Sequence, residues 1–260
     1  GLWSCRAMTR PAVLVTGGAQ RLGAAFSRAF AADGWHVVIH YRSSGEEAAA
    51  LAAELPSAQI MQADLAQNGA ADALARDLAA QLDDWRALIN SAAVFQPDDV
   101  AALDPGIFDQ AMQVNARAPA MLAQSYLAHA TARGGRRVIQ ITDQKLANPN
   151  PDFFSYTMSK HALDATIRML AMGAAQPDDR IYGLAPGAIL PSHDQSEEEA
   201  ERSHLLNLRR RRTSPRDVAE AAVFLASGDL ANGETLFVDS GQHLLSQPRD
   251  VIYLERDATR

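Results

Sequence analysis

The chain contains a single cysteine, Cys5, in 260 residues. That excludes an intramolecular disulfide and a multi-thiolate metal centre, and it fits a reducing cytosol. No run approaches the roughly 18 uninterrupted apolar residues needed to cross a bilayer, and Gly1–Ala7 lacks the apolar core of a secretory signal. A cytoplasmic protein with no membrane partner is expected. An excess of basic residues is also missing: 24 Lys+Arg stand against 31 Asp+Glu, and the net charge of -7 repels a phosphate backbone rather than attracting it. Nucleic acid is therefore excluded as the natural partner. His40, His161 and His193 show no ligand spacing, so no metal is assigned.

Also absent are a Gly/Ser or Pro-rich linker, a repeat period and any break in patterning, so one domain is expected over residues 8–247. Residues 1–7, just ahead of Met8, read as an N-terminal extension, and 248–260 as a C-terminal tail. At 47% hydrophobic and 21% charged, the chain has enough apolar surface for a sizeable core. From Pro11 onward, short β-branched runs alternate with Ala/Leu-rich segments of helical spacing. This is the signature of βα units and a parallel sheet. Seven strands are expected: 12–16, 36–41, 59–62, 87–90, 137–142, 181–184 and 235–238. Helices are expected to begin near Leu22, Glu46, Gly69, Pro105, Ala116, Tyr156 and Pro215. Asp104-Pro105 and Ser214-Pro215 each put a capping side chain ahead of a first-turn proline, and Gly34 suits a helix stop. Residues 191–213 run from an acidic cluster, Glu197–Glu199, to Arg209–Arg212. They read either as a salt-bridged helical insertion or as a lid over a substrate within a loop spanning about 188–213.

The run Val13-Leu14-Val15-Thr16-Gly17-Gly18-Ala19-Gln20-Arg21-Leu22-Gly23 is a buried strand, a glycine-bearing turn and a helix start. Such a turn lets backbone N–H groups approach a pyrophosphate at the positive end of the helix. Gly17, Arg21 and Leu22 are thus candidates to bind a dinucleotide. Arg21 faces the unfavourable end of the helix dipole, which favours an anion nearby, either a cofactor phosphate or a substrate. At the end of the second strand, Tyr41-Arg42-Ser43 offers a guanidinium and hydroxyls and no carboxylate. That composition suits a 2′-phosphate and favours NADPH over NADH. Asp64, followed by Leu65, either accepts from an adenine amino group or caps its own turn.

Tyr156 and Lys160 stand one helical turn apart and share a face. The phenol, with an ordinary pKa of about 10, needs help to exchange protons near neutrality, and an adjacent ammonium is expected to stabilise its ionised form. A tyrosine tuned in this way can protonate the oxygen or nitrogen of a bond that receives hydride.

Taken together, the glycine turn, Asn90-Ser91-Ala92, Asn115, Tyr156, Lys160 and Pro186-Gly187 resemble the short-chain dehydrogenase/reductase family over nearly the whole chain. The resemblance implies a single Rossmann-type doubly wound domain with a seven-stranded parallel sheet flanked by helices. It also implies an NADPH-binding enzyme with Asn90, Ser91, Ala92, Tyr156, Lys160, Pro186, Gly187 and Ile189 along the cofactor. Asn115 would shape a helix and hold a water in the proton relay. A homo-oligomer, tetramer or dimer, would form through helices in 101–133 and 156–173. Most members carry a serine after the fifth strand, whereas Thr142-Asp143 puts an aspartate there. With Arg21 and the His40-Tyr41-Arg42-Ser43 run, Asp143 makes the chain similar to pteridine and dihydromonapterin reductases. That likeness implies a pterin substrate held by Arg21, Phe95, Asp143 and Tyr156. The residues leave Phe95 open as a core aromatic and Asp143 as a loop cap. Asn148–Phe154 is expected to line the pocket, with Phe153 or Phe154 at the substrate or in the core. The alternatives are a carbonyl reductase of the same family and an NADPH-binding sensor without turnover.

Overall fold

The computed structural model describes residues 9–192 and 194–260; the N-terminal extension with Cys5, and His193, lie outside the described residues. Seven strands form one parallel sheet: β1 (Ala12–Val15), β2 (His36–Tyr41), β3 (Ala58–Gln62), β4 (Trp85–Asn90), β5 (Arg137–Ile141), β6 (Arg180–Pro186) and β7 (Thr235–Val238). Their order across the sheet is β3-β2-β1-β4-β5-β6-β7. The expected Rossmann-type α/β fold is thus observed, with each strand displaced from expectation by no more than two residues at either end.

The strands read as near-continuous apolar runs because both faces of the sheet are covered, as parallel sheets require. Val13 and Val15 pack into one layer, together with Phe26 and Phe30 of α1 (Arg21–Ala32) and Val218 and Ala222 of α8 (Pro215–Ser227). Leu14, between them in sequence, points to the opposite layer with Leu74 and Leu78 of α3 (Ala70–Gln81), Leu122 and Tyr126 of α5 (Ala118–His129) and Ile167 of α6 (Phe154–Gly173). Helix α2 (Gly45–Glu54) follows β2, and α4 (Pro105–Met112) precedes α5.

Where the expected start signals are strongest, the helices begin as read. Asp104 accepts from the N–H groups of Gly106 and Ile107, and Ser214 with Asp217 forms a reciprocal capping box. Gly34 takes a φ of 89° just past α1. The helix expected near Ala116 is instead a continuation of α4 through a π-helical turn, Gln113–Arg117, into α5. Such one-residue insertions concentrate at functional positions.

Two further elements complete the chain. The segment 191–213 contains a short helix, α7 (Glu197–Ser203), with its own capping box from Ser196 and Glu199. Arg212 bridges Glu197 and Glu201 at 2.5 and 2.8 Å, as the salt-bridged reading expected. The residues expected as a tail instead form α9 (Val251–Ala258), which lies against α7. Arg202–Glu255 at 2.5 Å and Arg256–Glu199 at 3.5 Å join the two, and Arg256–Asp194 at 3.3 Å ties α9 to the loop before α7. Among the described residues, no helix is long and apolar enough to cross a membrane.

Candidate active site

The order β2-β1-β4-β5 places a topological switch between β1 and β4, where connections leave the sheet in opposite directions and open a crevice at the carboxyl ends of the strands. Two adjoining clefts occupy it. The outer cleft, of about 600 Å³, is lined by Gly17, Arg21, Leu22, Tyr41, Arg42, Ser43, Asp64, Leu65, Ser91 and Ala92 among others. The inner one, of about 260 Å³, is lined by Asp143, Tyr156, Lys160, Pro186, Gly187 and Ile189. Arg21, Leu22, Ser91 and Phe95 belong to both walls.

The outer cleft is built around the first turn of the chain. Gly17 takes a φ of 58°, and a Cβ there would come within 3.1 Å of the Ala92 Cα. A Cβ on Gly23 would meet the Gly17 carbonyl oxygen at 1.9 Å, so glycine alone lets α1 close onto the turn. Helix α1 has no side-chain cap, which leaves its first-turn N–H groups available to an anion. Arg21 carries a strained φ of 52° and donates from Nη2 to the Pro191 carbonyl at 2.7 Å. The Arg42 guanidinium is exposed and makes no hydrogen bond or ion pair among the described residues. Asp64 does both things expected of it: it lines the cleft, and its Oδ1 accepts from the Ala66 N–H at 3.1 Å.

Two residues of the quoted runs to which the sequence assigned no role of their own hold this turn in place. The buried Thr16 hydroxyl accepts from the N–H groups of Ser91 and Ala92 at 2.9 and 3.0 Å, tying β1 to the end of β4. The His40 Nδ1 accepts from the Gly17 N–H at 3.0 Å, so Nε2 carries the proton toward the Ala63 carbonyl at 2.9 Å. Burial pushes this imidazole's pKa down, which keeps it in the neutral form that the two bonds require. Proximity to glycine was the only signal for Thr16, and the polar end of an otherwise apolar strand the only one for His40.

In the inner cleft, the Tyr156 hydroxyl donates to Asp143 Oδ2 at 2.8 Å. The other carboxylate oxygen caps a 3₁₀ turn, Gln144–Ala147, by accepting from the Lys145 N–H at 2.8 Å. Asp143 therefore serves as loop cap and site carboxylate together. Lys160 donates from Nζ to the Ile141 carbonyl at 2.8 Å, and burial lowers its pKa to about 8. The expected stabilisation of tyrosinate is not what the structure holds. Burial and then the Asp143 charge push the Tyr156 phenol well above its ordinary value. The phenol is thus a retained proton donor, paired to a carboxylate.

Phe95 lies edge-on to Tyr156, with ring centroids 4.6 Å apart at 78°, and stacks on Phe153 at 4.1 Å and 18°. Phe153 and Phe154 line neither cleft, nor does the rest of 148–154. Phe153 is instead a buried backing ring, in a left-handed conformation just before α6, and the loop was misplaced because two adjacent aromatics resemble a pocket wall. The Asn90 side chain is buried and donates to Gln140 Oε1 at 2.7 Å, away from both clefts. Asn115 sits in the π-helical turn behind the site. It exchanges bonds with the backbone of Val94 at 2.8 and 2.9 Å and donates to Ser159 Oγ at 3.1 Å.

The inner cleft also contains residues that the sequence did not single out for it: Lys145, His204, Gln242 and Asp250–Ile252. Burial pushes the His204 imidazole down to about 4, and its Nδ1 has no hydrogen-bond partner. Gln242 Oε1 accepts from the Ala188 N–H at 3.1 Å and so shapes the wall after β6.

A family model described as Enoyl-(Acyl carrier protein) reductase matches residues 17–243. The chain is 27% identical to a putative ketoacyl reductase 2 of granaticin polyketide synthase from Streptomyces violaceoruber, over 90% of this chain and 97% of that protein. It is 28% identical to pteridine reductase 1 of Leishmania tarentolae, over 91% of this chain and 97% of the relative. Among solved structures, it resembles FolM alternative dihydrofolate reductase 1 from Brucella canis complexed with NADP. The TM-score is 0.84 and the identity 33%, with 90% of this chain and 94% of that one covered.

Proposed function

The chain belongs to the short-chain dehydrogenase/reductase family, and from that premise we propose that it reduces a C=N bond of a pterin or dihydropterin. It is an oxidoreductase, and its cofactor is NADPH. The clefts fit that cofactor. The uncapped start of α1 with Gly17, Arg21 and Leu22 would hold the pyrophosphate, and Tyr41, Arg42 and Ser43 the 2′-phosphate. Asp64 and Leu65 would meet the adenine, with Ser91 and Ala92 along the middle. Tyr156, Lys160, Pro186, Gly187 and Ile189 would border the nicotinamide end. When bound, NADPH supplies the hydride.

The observation that carries the pterin reading is the Tyr156–Asp143 pair at 2.8 Å on the inner wall, beside the Phe95 ring. A flat heterocycle calls for an aromatic edge, a carboxyl group that exchanges protons and a cationic donor, and Phe95, Asp143 and Arg21 line one cavity. As hydride reaches the ring carbon, the ring nitrogen takes a proton from the Tyr156–Asp143 pair, which solvent refills. Lys160, anchored on Ile141, keeps α6 and β5 in register beneath that pair. Asn115 holds the Val94 backbone next to Phe95 and, on this reading, a water of the proton relay. A homo-oligomer, dimer or tetramer, and a cytoplasmic location belong to the same reading.

A carbonyl reductase is the second reading, favoured by the similarity to a putative ketoacyl reductase. NADPH oxidation followed by absorbance with a dihydropterin and a panel of small ketones separates the two. Loss of dihydropterin-dependent oxidation in both Asp143→Ser and Tyr156→Phe is the expected result. Ketone reduction that survives Asp143→Ser, with no dihydropterin reduction by the intact protein, overturns the pterin reading.

A further inference from the structure

Asp250 lines the inner cleft with Asp143 and Tyr156, yet the chemistry above does not use it. Its position is built from several sides. Arg249 grips the Asp152 carboxylate with Nε at 2.8 Å and Nη2 at 2.9 Å, and the Asp250 N–H donates to the same carboxylate at 2.8 Å. Asp152 lies four residues before Tyr156, so this clamp ties the C-terminal segment to the platform that carries the phenol. Ile252 is buried against Phe153 and Tyr156. On its outer side, α9 is held to α7 and the preceding loop by Arg202–Glu255 and Arg256–Asp194. An eight-residue helix at a chain end frays without such ties.

The carboxylate held there is only half occupied. Oδ1 accepts from the Ile252 N–H at 3.0 Å and caps α9, whereas Oδ2 has no hydrogen-bond partner among the described residues. Lys145, in the same cleft, attracts this carboxylate without bonding to its free oxygen. Lys145 donates its ammonium to the Asp152 carbonyl and lies 5.4 Å from the Phe153 ring centroid, and it makes no ion pair with Asp250. Nor do the nearby arginines offer a counter-charge: Arg249 is matched to Asp152, Arg256 to Asp194 and Glu199, and Arg202 to Glu255. Arg21 belongs to the wall shared with the cofactor cleft. A substrate group that reaches the α9 side therefore meets a free carboxylate oxygen that accepts O–H or N–H and opposes another carboxylate.

We infer that Asp250 is a specificity-determining residue which, on the pterin reading above, selects ring substituents that are uncharged and carry hydroxyl or amino donors over substituents that end in carboxylates. Two 7,8-dihydropterins test this with the full chain and NADPH. One carries a neutral dihydroxypropyl chain; the other is dihydrofolate, whose chain ends in two carboxylates. Asp250→Asn and Asp250→Ser both keep a side-chain acceptor at the head of α9, so the helix start survives in each. The wild type should favour the neutral substrate in kcat/KM, and both variants should narrow that preference by about tenfold, with the KM for NADPH unchanged. A preference that stays the same in both variants, while both pterins are still reduced, overturns the assignment of Asp250 alone. A wild type that reduces neither pterin but does reduce ketones overturns the pterin reading, and this inference with it.

Discussion

Replacing Asp143 by asparagine isolates the chemistry of its carboxylate from its structural work. The side-chain oxygen that caps the Lys145 N–H at 2.8 Å is preserved, so the turn after β5 should keep its shape. What is lost is the anionic Oδ2 that accepts the Tyr156 proton at 2.8 Å. A hydrogen bond to a charged group contributes about 1.5–3 kcal/mol, and a positioned proton donor or acceptor accelerates its step by about 10²–10⁴-fold. The expected result is a fall of about 10²-fold or more in kcat/KM for a dihydropterin, with the NADPH dissociation constant within about twofold of wild type. The phenol reports the same change independently. Asp143 contributes both charge and a hydrogen bond to the upward push on Tyr156, so ultraviolet titration should find tyrosinate forming at lower pH in the variant. A loss below tenfold, or an equal loss of NADPH affinity, would refute the role given to the pair.

Three further outcomes follow from the geometry. Arg42→Ala removes an exposed, unpaired guanidinium from the outer cleft and should raise the KM for NADPH by about tenfold while leaving weak NADH use unchanged. Steady-state kinetics with both cofactors decide this. Thr16→Val leaves the Ala92 N–H without its acceptor and the Ser91 N–H with only the Ile89 carbonyl at 3.1 Å, and should lower stability by about 1–3 kcal/mol in urea unfolding. For His204, held near a pKa of about 4 in the fold against about 6.5 when unfolded, the unfolded chain binds the extra proton between those values. Stability should therefore fall as pH drops from 6.5 to 4. His204→Gln should flatten that part of the unfolding-versus-pH curve.

Much of this site is legible in sequence because its parts are local. Tyr156 and Lys160 share one helix face, Gly17 to Gly23 fall within one turn, and Asp143 directly follows a strand whose apolar run is unmistakable. Strand positions were clear for a related reason, since a parallel sheet buried on both faces leaves apolar runs bounded by turn residues. The supports of the site are non-local. Thr16 meets Ser91 across 75 positions, His40 joins Gly17 to Ala63, and Arg249 meets Asp152 across 97. No periodicity announces such pairs. Helix α9 escaped notice because it is short and its order comes from ion pairs with distant residues rather than from its own pattern. The direction of the Asn90 side chain was not legible either: a residue at the end of a strand points to one face or the other, and here its amide turns toward Gln140. Tyr156 showed the limit of reading a pair without its third member, because burial and Asp143 outweigh the nearby lysine.

The most direct test of the account is to run the reaction with NADPH deuterated at the transferable position of its nicotinamide and a 7,8-dihydropterin, and to weigh the products. The expected product is a tetrahydropterin one mass unit heavier, with the deuterium on the carbon of the former C=N bond. Unlabelled dihydropterin recovered intact, together with deuterium delivered to a ketone offered in the same mixture, would contradict it.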